Sequence, residues 1–178
     1  MQASYDRTAR LLHWMIAALL LAQLIFGWWL GDVPRGTPAR GYWVNWHKST
    51  GLLLGLLIIV RLGWRLRHRA PAWPEGMPRW QQKLAAGSHH LIYLLMLLVP
   101  LAGYLASNFS KHGVKFFNTW VMSPWGMDDK VIYGVLNQIH KTGAALLLAL
   151  IVLHVLAALH HLARRDGVFA RMWPSRSP

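Results

Sequence analysis

The chain has 178 residues, 54% of them hydrophobic, with 11 Trp, no Cys and a formal net charge of +13. So much apolar content is wrong for a soluble domain of this length and fits a small helical membrane protein. The absence of Cys excludes disulfides and thiolate-held metals or iron–sulfur clusters, leaving histidine as the strong ligand. The basic residues are scattered over the ends of apolar segments with no nucleic-acid-binding motif, so the charge reads as topology and lipid contact, and no nucleic-acid partner is expected.

In chain order, four stretches approach the roughly 20 residues that cross a bilayer. The first is expected at about residues 9–30, after Arg7 and Arg10. Its basic start imitates a signal peptide, but the run is too long for one and contains His13, so it is read as a retained helix. The second, about 47–66, is the weakest by hydropathy, because Lys48 and Arg61 leave a clean apolar core only from Gly51 to Val60. Snorkelling or a bound anionic group would rescue it. A connection with Pro71, Pro74 and Pro78 is expected to be an extended strap before the third helix, about 84–107. The next connection, to about residue 137, holds Phe116, Phe117, Trp120, Val121 and Trp125 and is expected to fold back over the mouth of the bundle. The fourth helix is expected at about 138–162. No repeat or second domain is apparent, and the fold class is all-α: one four-helix transmembrane bundle, up-down-up-down.

Twelve Lys and Arg, Arg69 and Arg176 among them, belong to the termini and the second connection, against seven on the first and third connections. This bias places both termini in the cytoplasm. Trp28, Trp29, Trp43 and Trp46 at one face, and Trp64, Trp73, Trp80 and Trp173 at the other, are expected to form interfacial belts.

His140 and His154 are fourteen residues apart. At 100° per residue they share a helix face to within about 40°, at depths separated by roughly 21 Å. His13 lies near the inner end of the first helix and His47 near the outer end of the second, so depth pairs His13 with His154 and His47 with His140. Each pair bridges two helices, as bis-imidazole haem ligation requires, and two haems b stacked across the membrane are expected inside the bundle. Other metals fit less well, because zinc or iron sites want three or four ligands at one depth. The six acidic residues lie outside the apolar cores, which argues against a carboxylate proton relay.

Gly27, fourteen residues from His13, with Gly51, Gly55 and Gly143, would give room for a flat macrocycle or simply permit close helix packing. Arg61, fourteen residues after His47, falls at the inner level and is expected to pair with a haem propionate, the alternative being a snorkelling side chain.

With these features the chain resembles the prokaryotic cytochrome b561 family, small four-helix di-haem proteins of bacterial inner membranes. The resemblance runs over nearly the whole length, through "RLLHWMIAALLL", "NWHKSTGLLLGLLIIVRLGWRL", "HHLIYLLMLLVPLAGY" and "IHKTGAALLLALIVLHVLAALHH". It implies His13, His47, His140 and His154 as haem ligands. It further implies an oxidoreductase, since some members pass electrons from periplasmic superoxide to ubiquinone, while related di-haem cytochromes are membrane subunits of hydrogenases and dehydrogenases.

Quinone contacts are expected at the inner side from His90, Tyr93, Arg79, Lys83 and His161, the last seven residues after His154 and on its face. A quinone takes up protons with its electrons, which titratable donors serve, although structural hydrogen bonding or headgroup contact would also explain these residues. His89 and His160, on other faces, rank behind them. Arg40, Lys48, Lys111, Lys115, Lys130 and Lys141 would steer a small anion to the outer side, or merely face water and lipid. The competing reading is a membrane anchor and electron relay for a separate dehydrogenase or soluble electron carrier, marked by apolar surface on the third connection. A non-redox haem carrier or a purely structural bundle is the remaining class.

Overall fold

A computed structural model describes residues 4–68, 70–74 and 76–173. Arg69 and Arg176, both counted in the charge bias, lie outside the described residues. The four long helices are α1 (Arg7–Trp29), α2 (Pro38–Arg67), α3 (Arg79–Asn108) and α4 (Lys130–Arg164). All are long and apolar enough to cross a membrane.

Three of the four begin well before the apolar windows that announced them, and capping explains two of the cases. Thr37 accepts from the Arg40 amide ahead of a proline at the first turn of α2, and Asp129 accepts from the Val131 and Ile132 amides at α4. These side chains satisfy amides that a helix start leaves open, so the polar first turns stay helical beyond the hydrocarbon. Pro78 precedes α3 without a side-chain cap, and α1 starts on Asp6, which accepts from the Ala9 amide. Between α2 and α3 the residues 70–74 form neither helix nor strand, in keeping with Pro71 and Pro74 among them.

The chain order gives the up-down-up-down bundle. α1 packs on α2, α2 on α3 and, most extensively, α3 on α4, while among the described residues the α4 backbone packs far less against α1 and α2. A buried cluster of Ile16, Leu20, Leu54, Ile58, Leu95, Met96 and Leu147 fills the middle. Leu147 lies seven residues from both His140 and His154 and is 1% exposed. Leu11, Ile25, Leu56 and Leu153 face outward, where lipid replaces water as their surroundings. Lipid tails are as apolar as leucine, so helix association rests on close packing and polar contacts. One polar contact is central: Gln23 donates to the His47 carbonyl at 2.6 Å and accepts from the Thr50 hydroxyl at 2.8 Å, joining α1 to α2.

The third connection adds one small element to the all-α bundle. It holds an antiparallel hairpin, β1 (Val114–Phe116) with β2 (Trp120–Met122), turned by Phe117 and Asn118 at φ 44° and 59°. The hairpin folds back onto α2, where the Phe117 amide donates to Ser49 at 2.8 Å and Asn45 donates to Asn118 at 2.9 Å. The opposite end carries both termini. There the Tyr5 amide donates to the Arg171 carbonyl at 3.2 Å, and Arg171, in a 3-10 turn at Phe169–Arg171, donates to the Pro71 and Ala72 carbonyls at 2.8 and 2.7 Å. These are called below the hairpin end and the terminal end. Trp28, Trp29 and Trp43 are exposed at the first and Trp73, Trp80 and Trp173 at the second, whereas Trp46 and Trp64 are half-buried.

Candidate functional site

At the terminal end α1 and α4 bring His13 and His154 together, with ring centres 6.3 Å apart and planes at 67°. Arg61 reaches this level from α2. Its Nη1 donates to the Ala9 carbonyl at 2.8 Å, its Nε to the Tyr93 hydroxyl at 3.0 Å, and its Nη2 lies 3.4 Å from His13 Nδ1. A guanidinium carries five N–H donors, so the bonds to Ala9 and Tyr93 leave three N–H groups for an anionic partner, one of them on the side of His13. His89 stands here as well, its ring centre 5.3 Å from that of His154 and its Nδ1 donating to the Ala85 carbonyl at 2.7 Å. Of the two adjacent histidines in α3, both of them exposed, it is His89 whose ring meets this cluster. No spacing rule singled out His89, because its placement depends on how α3 is rotated against α4.

At the hairpin end α2 and α4 bring His47 and His140 together, centres 6.1 Å apart and planes at 90°. His140 Nδ1 lies 2.8 Å from the Val99 carbonyl. A carbonyl only accepts, so Nδ1 carries the proton and Nε2 keeps its lone pair, the tautomer a metal ligand needs. Two glycines make the seats for these rings. A Cβ on Gly103 would stand 2.8 Å from His140 Nδ1, and one on Gly27 would stand 3.0 Å from His47 Cε1. Gly103 escaped the sequence reading, since its value depends on a ring from another helix. Gly51, Gly55 and Gly143 instead face Gln23, Pro100 and Val99, which is close packing between helices. His47 Nδ1 is buried, with no hydrogen-bond partner among the described residues.

A metal-bound imidazole nitrogen lies about 2 Å from the ion, so two imidazoles on opposite sides of one ion have ring centres about 6 Å apart. Both pairs stand at this separation. Among the described residues no group of three or more His, Cys, Asp or Glu converges to hold one ion, so each pair, with His89 standing beside the terminal one, leaves other positions to a macrocycle. The donor set therefore fits haem.

The other candidates divide. His161 is paired with Asp166, Nδ1 to Oδ2 at 2.6 Å, and its ring lies 6.0 Å from that of His160. Arg79 and Lys83 are exposed at the terminal end, while Tyr93 is engaged by Arg61. Of the cations at the hairpin end, Arg40 donates to the Leu30 and Val33 carbonyls, Lys48 donates to the Gly113 carbonyl at 2.7 Å, and Lys111 lies 3.8 Å from Asp128. Lys115, Lys130 and Lys141 are exposed.

A four-helix membrane bundle that presents paired imidazoles near both of its ends has the form of a membrane cytochrome. The chain belongs to the prokaryotic cytochrome b561 family, whose sequence profile matches residues 4–175. It is 28% identical over 177 residues to cytochrome b561 homolog 1 of Escherichia coli K12, covering 97% of this chain and 98% of that one. It is 30% identical over 180 residues to cytochrome b562 of Cereibacter sphaeroides, covering 98% of each. It is also similar to the probable superoxide oxidase CybB of Yersinia pestis, 26% identical and covering 93% of each chain. The protein is thus a multi-pass bacterial membrane protein of haem b electron transfer.

Proposed function

We propose that the chain holds two haems b, one between His13 and His154 and one between His47 and His140, and that it passes electrons from superoxide at the hairpin end to ubiquinone at the terminal end. The observation that carries this reading is the equal separation of the two imidazole pairs, 6.3 and 6.1 Å, at opposite ends of the bundle. Bound haem iron supplies one-electron exchange between its ferric and ferrous states. Two superoxide ions each lose one electron and leave as dioxygen, and the quinone takes two electrons and two protons to become the quinol.

The chain's own residues position and separate these events. Val99 and Gly103 fix the His140 ring, and Arg61 offers its remaining N–H groups to a haem propionate. The plug around Leu147 keeps water from linking the two levels. At the terminal end, His161 and His90 are the titratable groups for quinone contact, and Lys115, Lys130 and Lys141 attract an anion to the hairpin end. Superoxide as donor draws support from the name of the Yersinia relative. The bias of basic residues supports the inner membrane with both termini in the cytoplasm.

A second reading, a relay for a dehydrogenase or soluble electron carrier, is favoured by one feature. Trp120, Val121, Trp125 and Met127 are 58–86% exposed at the hairpin end. Superoxide added to the oxidised, purified protein decides between the two. Under the first reading the haem bands reduce at once, ubiquinone reoxidises them, and the rate falls severalfold as ionic strength rises to a Debye length of about 8 Å. Haems inert to superoxide would remove the first reading in favour of the relay.

A further inference from the structure

The His161–Asp166 pair has a construction of its own. α4 ends at Arg164, and the chain then turns through two left-handed residues, Arg165 at φ 53° and Gly167 at φ 80°. Asp166 sits between them, so its carboxylate is carried back to the helix it succeeds. Oδ2 meets His161 Nδ1 at 2.6 Å, and Oδ1 accepts from the Val168 amide at 3.2 Å. The pair is half-buried, with the side chains 15% and 35% exposed.

Residues beyond Gly167 anchor this turn. Arg171 is buried, at 8% exposed, and is locked onto the Pro71 and Ala72 carbonyls. The Tyr5 amide holds the Arg171 carbonyl, and the Trp14 indole donates to the Met172 carbonyl at 2.8 Å. The carboxylate is therefore held on a segment tied to α1, to the residues ahead of it and to the proline strap. Burial alone would push the Asp166 carboxyl up, but the bonds from His161 and the Val168 amide leave it below the ordinary carboxylate value, so it is ionised at neutral pH.

We propose that Asp166 is a positioning residue for proton delivery to quinone: it holds the Nδ1–H of His161, making Nε2 the nitrogen that takes up a proton and hands it to the quinone oxygen. This rests on the reading of His161 as a quinone contact. An ionised carboxylate only accepts, so Nδ1 must donate and Nε2 is the free position. His161 lies seven residues beyond His154, on the same face to within about 20° and about 10 Å farther along the helix, toward the membrane edge. When an electron reaches the quinone, the Nε2–H bond breaks, an O–H bond forms on the quinone, and the neutral ring takes its next proton from water at the terminal end.

The plainer role for Asp166 is to cap the turn after α4, and Asp166→Asn separates the two. An asparagine keeps its oxygen for the Val168 amide, but turns an NH2 toward His161 Nδ1 and forces the ring's proton onto Nε2. The full-length haem-loaded protein, reduced stoichiometrically, is mixed with a short-chain ubiquinone and the haem bands are followed. Asp166→Asn is expected to lower the limiting rate of reoxidation by about ten- to a hundredfold, with a smaller change in the half-saturating quinone concentration and unchanged haem content. The ring 15N resonances of His161 should report the exchanged tautomer, and Asp166→Glu should restore part of the rate. Wild-type rates in Asp166→Asn, with His161→Ala still slow, would overturn the positioning role and leave the quinone site standing. Wild-type rates in His161→Ala would overturn both.

Discussion

The two ends of the bundle hold similar pairs of imidazoles in different ways. At the hairpin end the seats are backbone: the Val99 carbonyl fixes His140, Gly103 and Gly27 make room for the rings, and Lys48 and Arg40 spend donors on main-chain carbonyls. At the terminal end the surroundings are side chains that carry or exchange protons: Arg61, His89, Tyr93, and the His161–Asp166 pair beyond them. A step that moves only electrons needs rigid seats and no proton donor, whereas reducing a quinone needs proton donors as well. The asymmetry therefore supports the proposed electron entry at the hairpin end and proton-coupled exit at the terminal end.

The largest effect should come from filling a backbone seat. Gly103→Val would put carbon about where a Cβ already comes within 2.8 Å of His140 Nδ1. The ring cannot retreat without leaving the Val99 carbonyl, so the variant is expected to lose the hairpin-end haem and keep the other. The haem-to-protein ratio should fall by half, and an unchanged ratio would mean that the seat is not specific.

A smaller effect is expected at the terminal end. Arg61→Gln removes a charge but leaves His13 and His154 in place. It should lower the midpoint potential of one haem only, on the order of 50–100 mV, the scale of a unit charge within about 10 Å at an effective dielectric constant near 20. A redox titration in which both haems move equally, or neither does, would remove Arg61 from the terminal level.

The smallest effect concerns the terminal cap. Asp6 is drawn up by burial but held below the ordinary carboxylate value by the Ala9 amide and the Trp64 indole, and Asp166 is lowered likewise. Groups with depressed values stabilise the folded state above the unfolded pKa and lose that contribution as pH falls through the folded one. Proteolytic nicking near the termini should therefore increase below about pH 4, while the hairpin stays protected. Equal nicking at both ends would contradict a pH-sensitive cap confined to the terminal end.

Much of this was legible in the residues themselves. Four apolar runs give four helices, and the fourteen-residue interval between His140 and His154 carries through to two levels because α4 is one uninterrupted helix. Helix ends were less legible, since hydropathy sees the hydrocarbon and not the caps at Thr37 and Asp129 that extend α2 and α4 past it. The hairpin was read only as a folded-back connection, because two three-residue strands leave no alternation to detect. His89, Gly103 and Asp166 act through partners on other elements or across a turn, and no one-dimensional spacing encodes the rotation of α3 or the left-handed turn at Arg165.

Each imidazole pair is proposed to hold one haem, so the number of haems per chain decides between this arrangement and any other. Haem per chain should be two in the purified protein and one in each of His13→Ala and His140→Ala, with the remaining haem low-spin in both. One haem in the unaltered chain, or two in either variant, would contradict the pairing of His13 with His154 and of His47 with His140.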